Sequence, residues 1–556
     1  MKILSAAEMN ACDRATSERF GLSPAQLMQS ASSAVAAFAR QQFPAARCIT
    51  VLCGRGNNGG DGMIAARLLA ESGCAVTVLL LGDPAGLHDE PATAWKWLTE
   101  HLDLLAAEAI LSEDDFARHS EALTADLVLD AICGTGFKPP LRGLPLAALN
   151  WLQAAKSPVL AVDLPSGWDA DEVKLQPTDA DNKPLLSFPA DAIITFTAPK
   201  PAHVFSQLTR YWYQPVVVAS IGSSEETIVS SLNIRWTGSA KAITEAVRTV
   251  DSNKGMYGHV LVVGGSPGKS GAPGMTALAA LRTGAGLVTA AVSPSVLSLV
   301  AALAPELMTH ALIADETGQI SAKNLEAENL KTLLNKITVL AIGPGLGETP
   351  EAVEFALGLL AATRIPAVVD ADALNAIARQ PEKLIELAKD RTMVLTPHPG
   401  EMARLTGLTT KQVQADRLKV ARDFSAKYGV ILVLKGARTL IAHPDGSVAV
   451  NTTGNPGMAK GGSGDLLTGF VASLLGQHPK NPKRAVEAAV YLHGLAADIT
   501  VRQHDQHTLL ATDSLAYLDK AFRFRPFSYD FRLGSGYGWL QGLPADFGGL
   551  DTPGVR

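Results

Sequence analysis

The chain has 556 residues, 48 Lys and Arg against 54 Asp and Glu, and a formal charge of −6. That length exceeds the roughly 250–300 residues at which single hydrophobic cores stop growing, so two or more domains are expected. A content of 47% hydrophobic and 18% charged residues excludes wholesale disorder, and the acidic balance gives no long-range pull on nucleic acid or an anionic membrane, which leaves small-molecule substrates as the expectation.

The amino terminus reaches Glu8 and Asp13 without a signal-like apolar segment. Cys12, Cys48, Cys53, Cys74 and Cys133 form no CxxC pair, so reduced thiols in a soluble cytoplasmic protein are expected rather than disulfides or structural zinc. Ser5-Ala6-Ala7-Glu8 reads as a capping box, and Pro24 to Phe43 keeps Leu27, Met28, Ala31, Val35 and Phe38 on one helical side. Cys48 to Cys53 suits a buried strand that ends in the glycine-rich loop Gly54 to Gly62. Met63 to Ser72 suits a helix and Ala75 to Leu81 a second strand. Leu127 to Asp130 and Val159 to Asp163 are further strands, each leading into a polar loop, and Ala190 to Phe196 and Val216 to Ala219 complete an α/β, mostly parallel sheet. Ligands of such sheets sit beyond the carboxyl ends of the strands, where these loops fall.

Composition changes over Gly222 to Ser252, which places a boundary near 225–245. Strand signals resume at His259 to Val263, Leu287 to Val292, Thr338 to Ile342, Ala367 to Asp370, Met393 to Thr396 and Val430 to Lys435. A helix is expected around Met275 to Thr283 and a hairpin near Thr439 to Val450. The uncharged stretch Thr283 to Pro305 is long enough to span a bilayer, but its Gly, Ser and Pro content fits buried soluble elements better. The resulting domains are 1–225 and 245–520. The remainder, 521–556, carries Phe522, Phe524, Phe527, Tyr529, Phe531, Tyr537, Trp539 and Phe547 without helical spacing and reads as an irregular extension of unknown role, with order by docking on the second domain as the alternative.

The densest chemical signal of the second half is Asn455-Pro456-Gly457-Met458-Ala459-Lys460-Gly461-Gly462-Ser463-Gly464-Asp465, followed by a helix-like run. Glycines let backbone N–H groups turn toward an anion, a helix start adds unpaired donors, and Asp465 can accept a proton from a hydroxyl held beside a phosphoryl group. The segment is not a GxxxxGK[ST] loop, and a structural turn or another ligand site fits the same residues. Lys435 and Thr439 suit phosphate or ribose contacts, and His398 a substrate contact, yet each also fits a surface turn.

Together, Gly343-Pro344-Gly345-Leu346-Gly347, Thr396-Pro397-His398-Pro399-Gly400-Glu401, Lys435-Gly436-Ala437-Arg438-Thr439 and the segment ending at Asp465 resemble the ADP-dependent NAD(P)H-hydrate dehydratase family over about residues 245–520. The resemblance implies a ribokinase-like fold and removal of water from the S form of hydrated NADH or NADPH, with ADP as cosubstrate consumed to AMP and phosphate. It places nucleotide on Lys435, Gly436, Ala437, Arg438, Thr439 and Gly464, and hydrated cofactor near Gly258, Gly347, His398 and Asp465. Mg²⁺ is expected to offset phosphate charge, without a unique protein ligand.

In the first half, Asn57 and Asn58 have amides suited to ribose, phosphate or ring substituents, while Asp130 and Asp163 each terminate a strand. Asp130 with Asn58 and Ser166 can surround a hard monovalent cation, and Asp163 can exchange a proton, although capping of the following turns explains both acids equally. No ribose-binding acid follows as in a dinucleotide fingerprint. Asn57-Asn58-Gly59-Gly60-Asp61-Gly62, Asp130-Ala131-Ile132-Cys133-Gly134-Thr135-Gly136 and Asp163-Leu164-Pro165-Ser166-Gly167 resemble the NAD(P)H-hydrate epimerase family over about residues 1–220. This implies a doubly wound, Rossmann-like domain that interconverts the R and S hydrates, with K⁺ at Asn58, Asp130 and Ser166. Hydrated cofactor is then expected at Asn57, Asn58, Gly59, Gly60 and Asp61, along the loop Gly134, Thr135, Gly136, Phe137, Lys138, Pro139, Pro140, and at Asp163. Ser32 stands where that family usually has glycine, which puts close helix packing in question.

The two activities fit one another, since an epimerase would feed a dehydratase restricted to S. The expected partners are the hydrates of NADH and NADPH with ADP, in a homo-oligomer, with neither nucleic acid nor membrane. The competing readings are a small-alcohol kinase, which shares the glycine-rich anion loop and terminal aspartate, and a nucleotide-sensing scaffold.

Overall fold

The computed structural model describes residues 1–179, 181–530, 535–544 and 547. The chain divides into two compact units, Met1–Leu232 joined by Arg525–Gly549, and Asn233–Phe524.

Seven parallel strands build the first unit's sheet: β1 (Cys48–Cys53), β2 (Ala75–Leu81), β3 (Ala106–Ile110), β4 (Leu127–Ala131), β5 (Val159–Val162), β6 (Ala192–Phe196) and β7 (Val216–Ala219). Their order is β7-β6-β5-β4-β1-β2-β3, so the chain reverses direction across the sheet between β1 and β4. β4, β5, β6 and β7 are buried throughout, as strands covered by helices on both faces must be. β3 is half exposed, which is why it lacks the apolar run that marks the others. The capping box at Ser5 and Glu8 forms as expected and starts the helix Ala6–Phe20. Ser32 is buried on the helix Pro24–Gln42, and its hydroxyl folds back to donate to the Met28 carbonyl at 2.7 Å. The hydroxyl is thus satisfied without leaving the helix.

The second unit's sheet contains β8 (Ile234–Trp236), β9 (His259–Gly264), β10 (Leu287–Val292), β11 (Met308–Ala311), β12 (Val339–Ile342), β13 (Ala367–Val369), β14 (Met393–Leu395), β15 (Ile431–Leu434), β16 (Leu440–Ala442) and β17 (Val448–Val450). The order is β11-β10-β9-β12-β13-β14-β15-β16-β17-β8, parallel from β11 to β15, with the expected antiparallel hairpin at β16 and β17. The uncharged stretch near Thr283 resolves into β10 and the helix Pro294–Ala301. Among the described residues no helix is long and apolar enough to cross a membrane. β8 lies in the 222–252 segment, whose composition fits either a linker or an edge excursion, and it takes the second form as the edge strand of the sheet. It is held by pairing to β17 and by Arg235, whose guanidinium donates to the buried Glu487 carboxylate.

The carboxyl-terminal segment departs from the irregular extension expected over 521–556. The helix Leu518–Arg523 ends the second unit. β18 (Phe527–Asp530) and β19 (Ser535–Gln541) then form an antiparallel hairpin, and β19 pairs antiparallel with β7. The aromatics follow a period of two, not 3.6: Tyr537 and Trp539 are both buried against Phe38. Intervening glycines hide that alternation in the sequence. Phe531 and residues 548–556 lie outside the described residues.

Candidate active sites

The first site forms at the crevice between β1 and β4, where chain direction reverses and ligands of doubly wound sheets sit. β1 leads into the helix Asn57–Glu71, whose N-cap Gly56 offers no side chain to its first turn. Those N–H groups are left for a ligand. A Cβ on Gly59 would stand 1.8 Å from the Gly54 carbonyl oxygen, so glycine alone lets this helix start against the strand end.

Asp130, fully buried, accepts from the Ser166 hydroxyl at 2.6 Å and the Ser166 N–H at 2.7 Å. The Ser166 oxygen in turn accepts from Cys133 N–H, and the Cys133 carbonyl accepts from Asn58 Nδ2 at 3.1 Å. The three expected cation ligands are therefore one connected set, and Asn58 Oδ1 is buried without a hydrogen-bond partner. Burial pushes the Asp130 carboxyl up to about 6 against the pull of Ser166 and Ile132. A cation beside Asn58 Oδ1 would satisfy the orphan oxygen and keep Asp130 ionised.

Asp163 follows β5 with a φ of 66°. Its Oδ1 accepts from Lys200 Nζ at 2.7 Å and Thr195 Oγ1 at 2.8 Å, and its carbonyl accepts from His203 Nε2 at 2.8 Å. His203 Nδ1 accepts from the Lys200 N–H, which fixes the imidazole as its Nε2–H tautomer. Burial, with the Lys200 charge, pulls His203 down to about 4. Burial works to raise Asp163, but the Lys200 ammonium, His203 and the Thr195 hydroxyl prevail and hold its carboxyl below the ordinary value. Asp61 is raised by burial and by the charges of Asp163 and Asp13.

A cavity of about 570 Å³ collects Asn57, Asn58, Asp61, Gly134, Thr135 and Asp163 on its wall. Gly59, Gly60, Gly136, Phe137, Lys138, Pro139 and Pro140, also expected to touch substrate, do not line it. Gly60 packs against Met28, Phe137 lies against the core formed around Leu141 and Phe188, and Lys138 is bound to Asp169 at 2.7 Å. Asp13 and Lys200 do line it and were not expected from sequence.

The second site forms where β9 and β12 adjoin and the chain again reverses. The loop after β9 is pinned to the turn after β12 by Ser266 N–H donating to the Gly345 carbonyl at 2.7 Å. Gly347 N–H and Lys269 Nζ both donate to Asp372 Oδ2, at 2.8 Å and 3.0 Å. Asp370, at the end of β13, accepts from Lys435 Nζ at 2.8 Å and from Thr468 Oγ1 at 2.9 Å. Glu401 stands 3.8 Å from the same ammonium. Lys435 thus meets two carboxylates, and its retained charge is already shared.

The helix Ser463–Gln477 begins after Gly462, whose φ is 95° and which provides no side-chain cap. Ser463 N–H reaches the Lys460 carbonyl at 3.5 Å, which leaves the Gly464 and Asp465 N–H groups to meet phosphoryl oxygens. Asp465 sits in that turn. Burial, the Asp370 charge and, less strongly, Asp372 raise its carboxyl to about 6 against Lys435. Gly464 lies beside the ammonium, since a Cβ there would be 3.3 Å from Lys435 Nζ. Upstream, Asp498 accepts from Gly454 N–H at 2.8 Å and Asn455 Nδ2 at 3.0 Å, which ties down the start of the anion loop. Arg417 donates to the carbonyls of Leu434, Lys435 and Ala437, and Arg438 is half-buried with a φ of 54°, so Lys435 to Thr439 is a braced turn. Thr439 Oγ1 donates to the Gly436 carbonyl at 2.8 Å.

His398 caps the helix Pro399–Thr406, its Nδ1 accepting from Gly400 N–H at 3.0 Å, while its ring stays exposed. Gly258 does not join this site. It precedes β9 at the amino edge of the sheet, and a Cβ on it would lie 2.9 Å from Gly476 Cα, at the opposite end of the helix that carries Asp465. Sequence reasoning assigned no role to Asp370, Asp372, Glu401 or Asp498. For Asp370 the signal was present, a carboxylate ending an apolar strand, as at Asp130 and Asp163.

Residues 260–520 match the family model described as NAD(P)H-hydrate dehydratase, and residues 24–202 match that of the YjeF-related protein N-terminus. A bifunctional NAD(P)H-hydrate repair enzyme of Moorella thermoacetica is 41% identical over 94% of this chain and 97% of its own length. That of Escherichia coli is 34% identical over 91% of each. Among solved structures, an ADP/ATP-dependent NAD(P)H-hydrate dehydratase from Bacillus subtilis, co-crystallised with ATP and Mg²⁺, is 34% identical over 53% of this chain and 99% of its own, with a TM-score of 0.45.

Proposed function

This chain belongs to the bifunctional NAD(P)H-hydrate repair enzymes, and we propose that its units divide the repair between the two sites, epimerisation at Asp163 and ADP-dependent dehydration at Asp465. The observation that carries the second assignment is the helix start at Gly462, which no side chain caps, with the largely buried Asp465 in its first turn and Gly464 beside the Lys435 ammonium.

Dehydration needs a better leaving group than hydroxide. Asp465 accepts the hydroxyl proton of the S hydrate as that oxygen attacks the β-phosphorus of ADP and AMP departs. Loss of the resulting phosphate ester as inorganic phosphate, with a proton from the adjacent ring carbon, restores the conjugated ring. Backbone N–H groups of Gly461, Gly462 and Gly464 and the Lys435 ammonium stabilise the charge growing on the phosphoryl oxygens, the Lys460 N–H being bonded to the Met458 carbonyl. Lys435 to Thr439 with Gly464 hold the nucleotide, and Gly347, His398 and Asp465 face the hydrate. Among the described residues no group of three or more His, Cys, Asp or Glu side chains is disposed to hold a metal ion. Mg²⁺ therefore fits only as a nucleotide-borne ion that one or two carboxylates, Asp370 or Glu401, would steady, neutralising phosphate charge.

In the first unit, Asn58 Oδ1 with the Asp130 and Ser166 oxygens suits K⁺, which would supply a fixed charge at the end of β4. Asp163 exchanges the proton that epimerisation requires. We read the protein as cytoplasmic, in keeping with five free cysteines.

Separated R and S hydrates of NADH and NADPH, supplied with ADP, Mg²⁺ and K⁺ while NAD(P)H and phosphate are followed, test the assignment. Wild type consumes both epimers. Asp465→Asn retains R-to-S conversion and loses dehydration by about 10²–10⁴-fold. Asp163→Asn does the reverse, above the spontaneous rate. A stable phosphorylated product without NAD(P)H would instead identify a kinase.

A further inference from the structure

The epimerase cavity has a carboxyl that nothing in the preceding assignment uses. Asp13 lies on the helix Ala6–Phe20, which presents Met9, Asp13 and Ser17, spaced by one helical turn, to the cavity. The expected substrate contacts come instead from the strand ends and the helix Asn57–Glu71, so Asp13 reaches the ligand space from a different wall. Asp13 Oδ1 is buried without a hydrogen-bond partner. A carboxyl kept for structure is normally bonded when buried, as Asp130 is here.

Epimerisation at a hydrated enamine carbon has two proton sites. The hydroxyl-bearing carbon adjoins the ring nitrogen. Opening the ring takes a proton from the hydroxyl, forms the carbonyl and breaks the carbon–nitrogen bond, whose electron pair goes to nitrogen, which must be protonated. Rotation about the adjacent carbon–carbon bond and reclosure on the other face return both protons to their sources. One acceptor and one donor are needed, and a single carboxylate cannot be both at once.

We propose that Asp13 is the proton donor of the epimerisation, paired across the cavity with Asp163 as acceptor. This rests on the reading of Asp163 given above. Lys200 breaks the symmetry of the pair: its ammonium bonds Asp163 and Thr195, both at 2.7 Å, and keeps Asp163 the anion. Asp13 has no such bond, and burial together with the Asp163 charge raises its carboxyl against Lys200. Two carboxyls whose surroundings drive their protonation apart are the arrangement that gives one acid and one base. Asp61 faces the same cavity and is the competing donor.

The test uses the full chain, K⁺ and the purified R hydrate of NADH without ADP, following formation of S above the uncatalysed rate. Asp13→Asn is expected to lower kcat by about 100-fold or more with KM within about threefold. Asp13→Ala is expected to regain activity with added acetate, which a folding defect does not mimic. An Asp13→Asn kcat within about threefold of wild type, or a loss confined to KM, overturns the proposal. So does a loss of that size in Asp61→Asn with Asp13→Asn unaffected. Asp163→Asn separates the two claims: if it epimerises at the full rate while Asp13→Asn does not, the Asp163 role fails and the Asp13 role stands.

Discussion

Burial raises the Asp465 carboxyl to about 6, with the Asp370 charge adding to the effect. A base works only when ionised, so kcat/KM for dehydration should be constant above that value and fall about tenfold per pH unit below it. Asp370→Asn removes one nearby negative charge and frees the Lys435 ammonium toward Asp465, so the acid limb should move to lower pH even if the maximum rate drops. A pH–rate profile of both proteins checks this, and an unmoved limb would mean another group sets it. The residue scale also shows which assignments were legible. Asp163 and Asp465 end a strand and open a helix, positions that hydrophobic runs and glycines mark. Asp13 and Lys200 are brought in by elements distant in sequence, and no local pattern announces them, whereas Asp370 carries the same strand-end signal as Asp163. Gly258 shows the converse, a glycine that the family resemblance assigns to the hydrate and that the fold places at the amino edge of the sheet, against Gly476.

The helix Ser463–Gln477 positions both the anion donors and Asp465, and it does so by lying on the helix Gly271–Arg282. Thr276 Oγ1 donates to the Asp465 carbonyl at 3.0 Å, and a Cβ on Gly469 would stand 2.2 Å from the Thr276 carbonyl oxygen. Two backbones meet there, and no side chain can yield. Gly469→Val should therefore cost about 1–3 kcal/mol or more and shift the helix start from Lys435. The expected readout is a lower unfolding temperature of the second unit and reduced dehydration with R-to-S conversion retained. Equal loss of both activities would contradict it. Strong elements such as this helix are visible in sequence because they carry a long apolar run, buried here from Leu466 to Leu475. The half-exposed edge strands β3 and β11, the brief β8 and the glycine-interrupted β19 are not, because pairing with a neighbour rather than an apolar run makes them strands.

At the scale of the whole molecule, the first unit's sheet uses both ends of the chain. β19 supplies the hydrogen bonds of the β7 edge, while Tyr537 and Trp539 cover Phe38. A chain ending at Phe524 should lose those contacts, about 3–6 kcal/mol as an upper figure for two large apolar side chains. Its first unit should melt earlier and lose epimerisation while dehydration persists. Calorimetry with both assays checks this, and an unchanged first transition would show the hairpin to be dispensable. The sequence by itself determined two α/β units, nearly all their parallel strands, the loops beyond the strand ends and the family, because strand burial, glycine-rich turns and terminal carboxylates are properties of short contiguous segments. Only the tertiary structure decided which carboxylates share a cavity, which lysine keeps each anion charged, and that the last segment completes the first sheet. Those depend on contacts between residues from tens to hundreds of positions apart, which no short contiguous segment encodes.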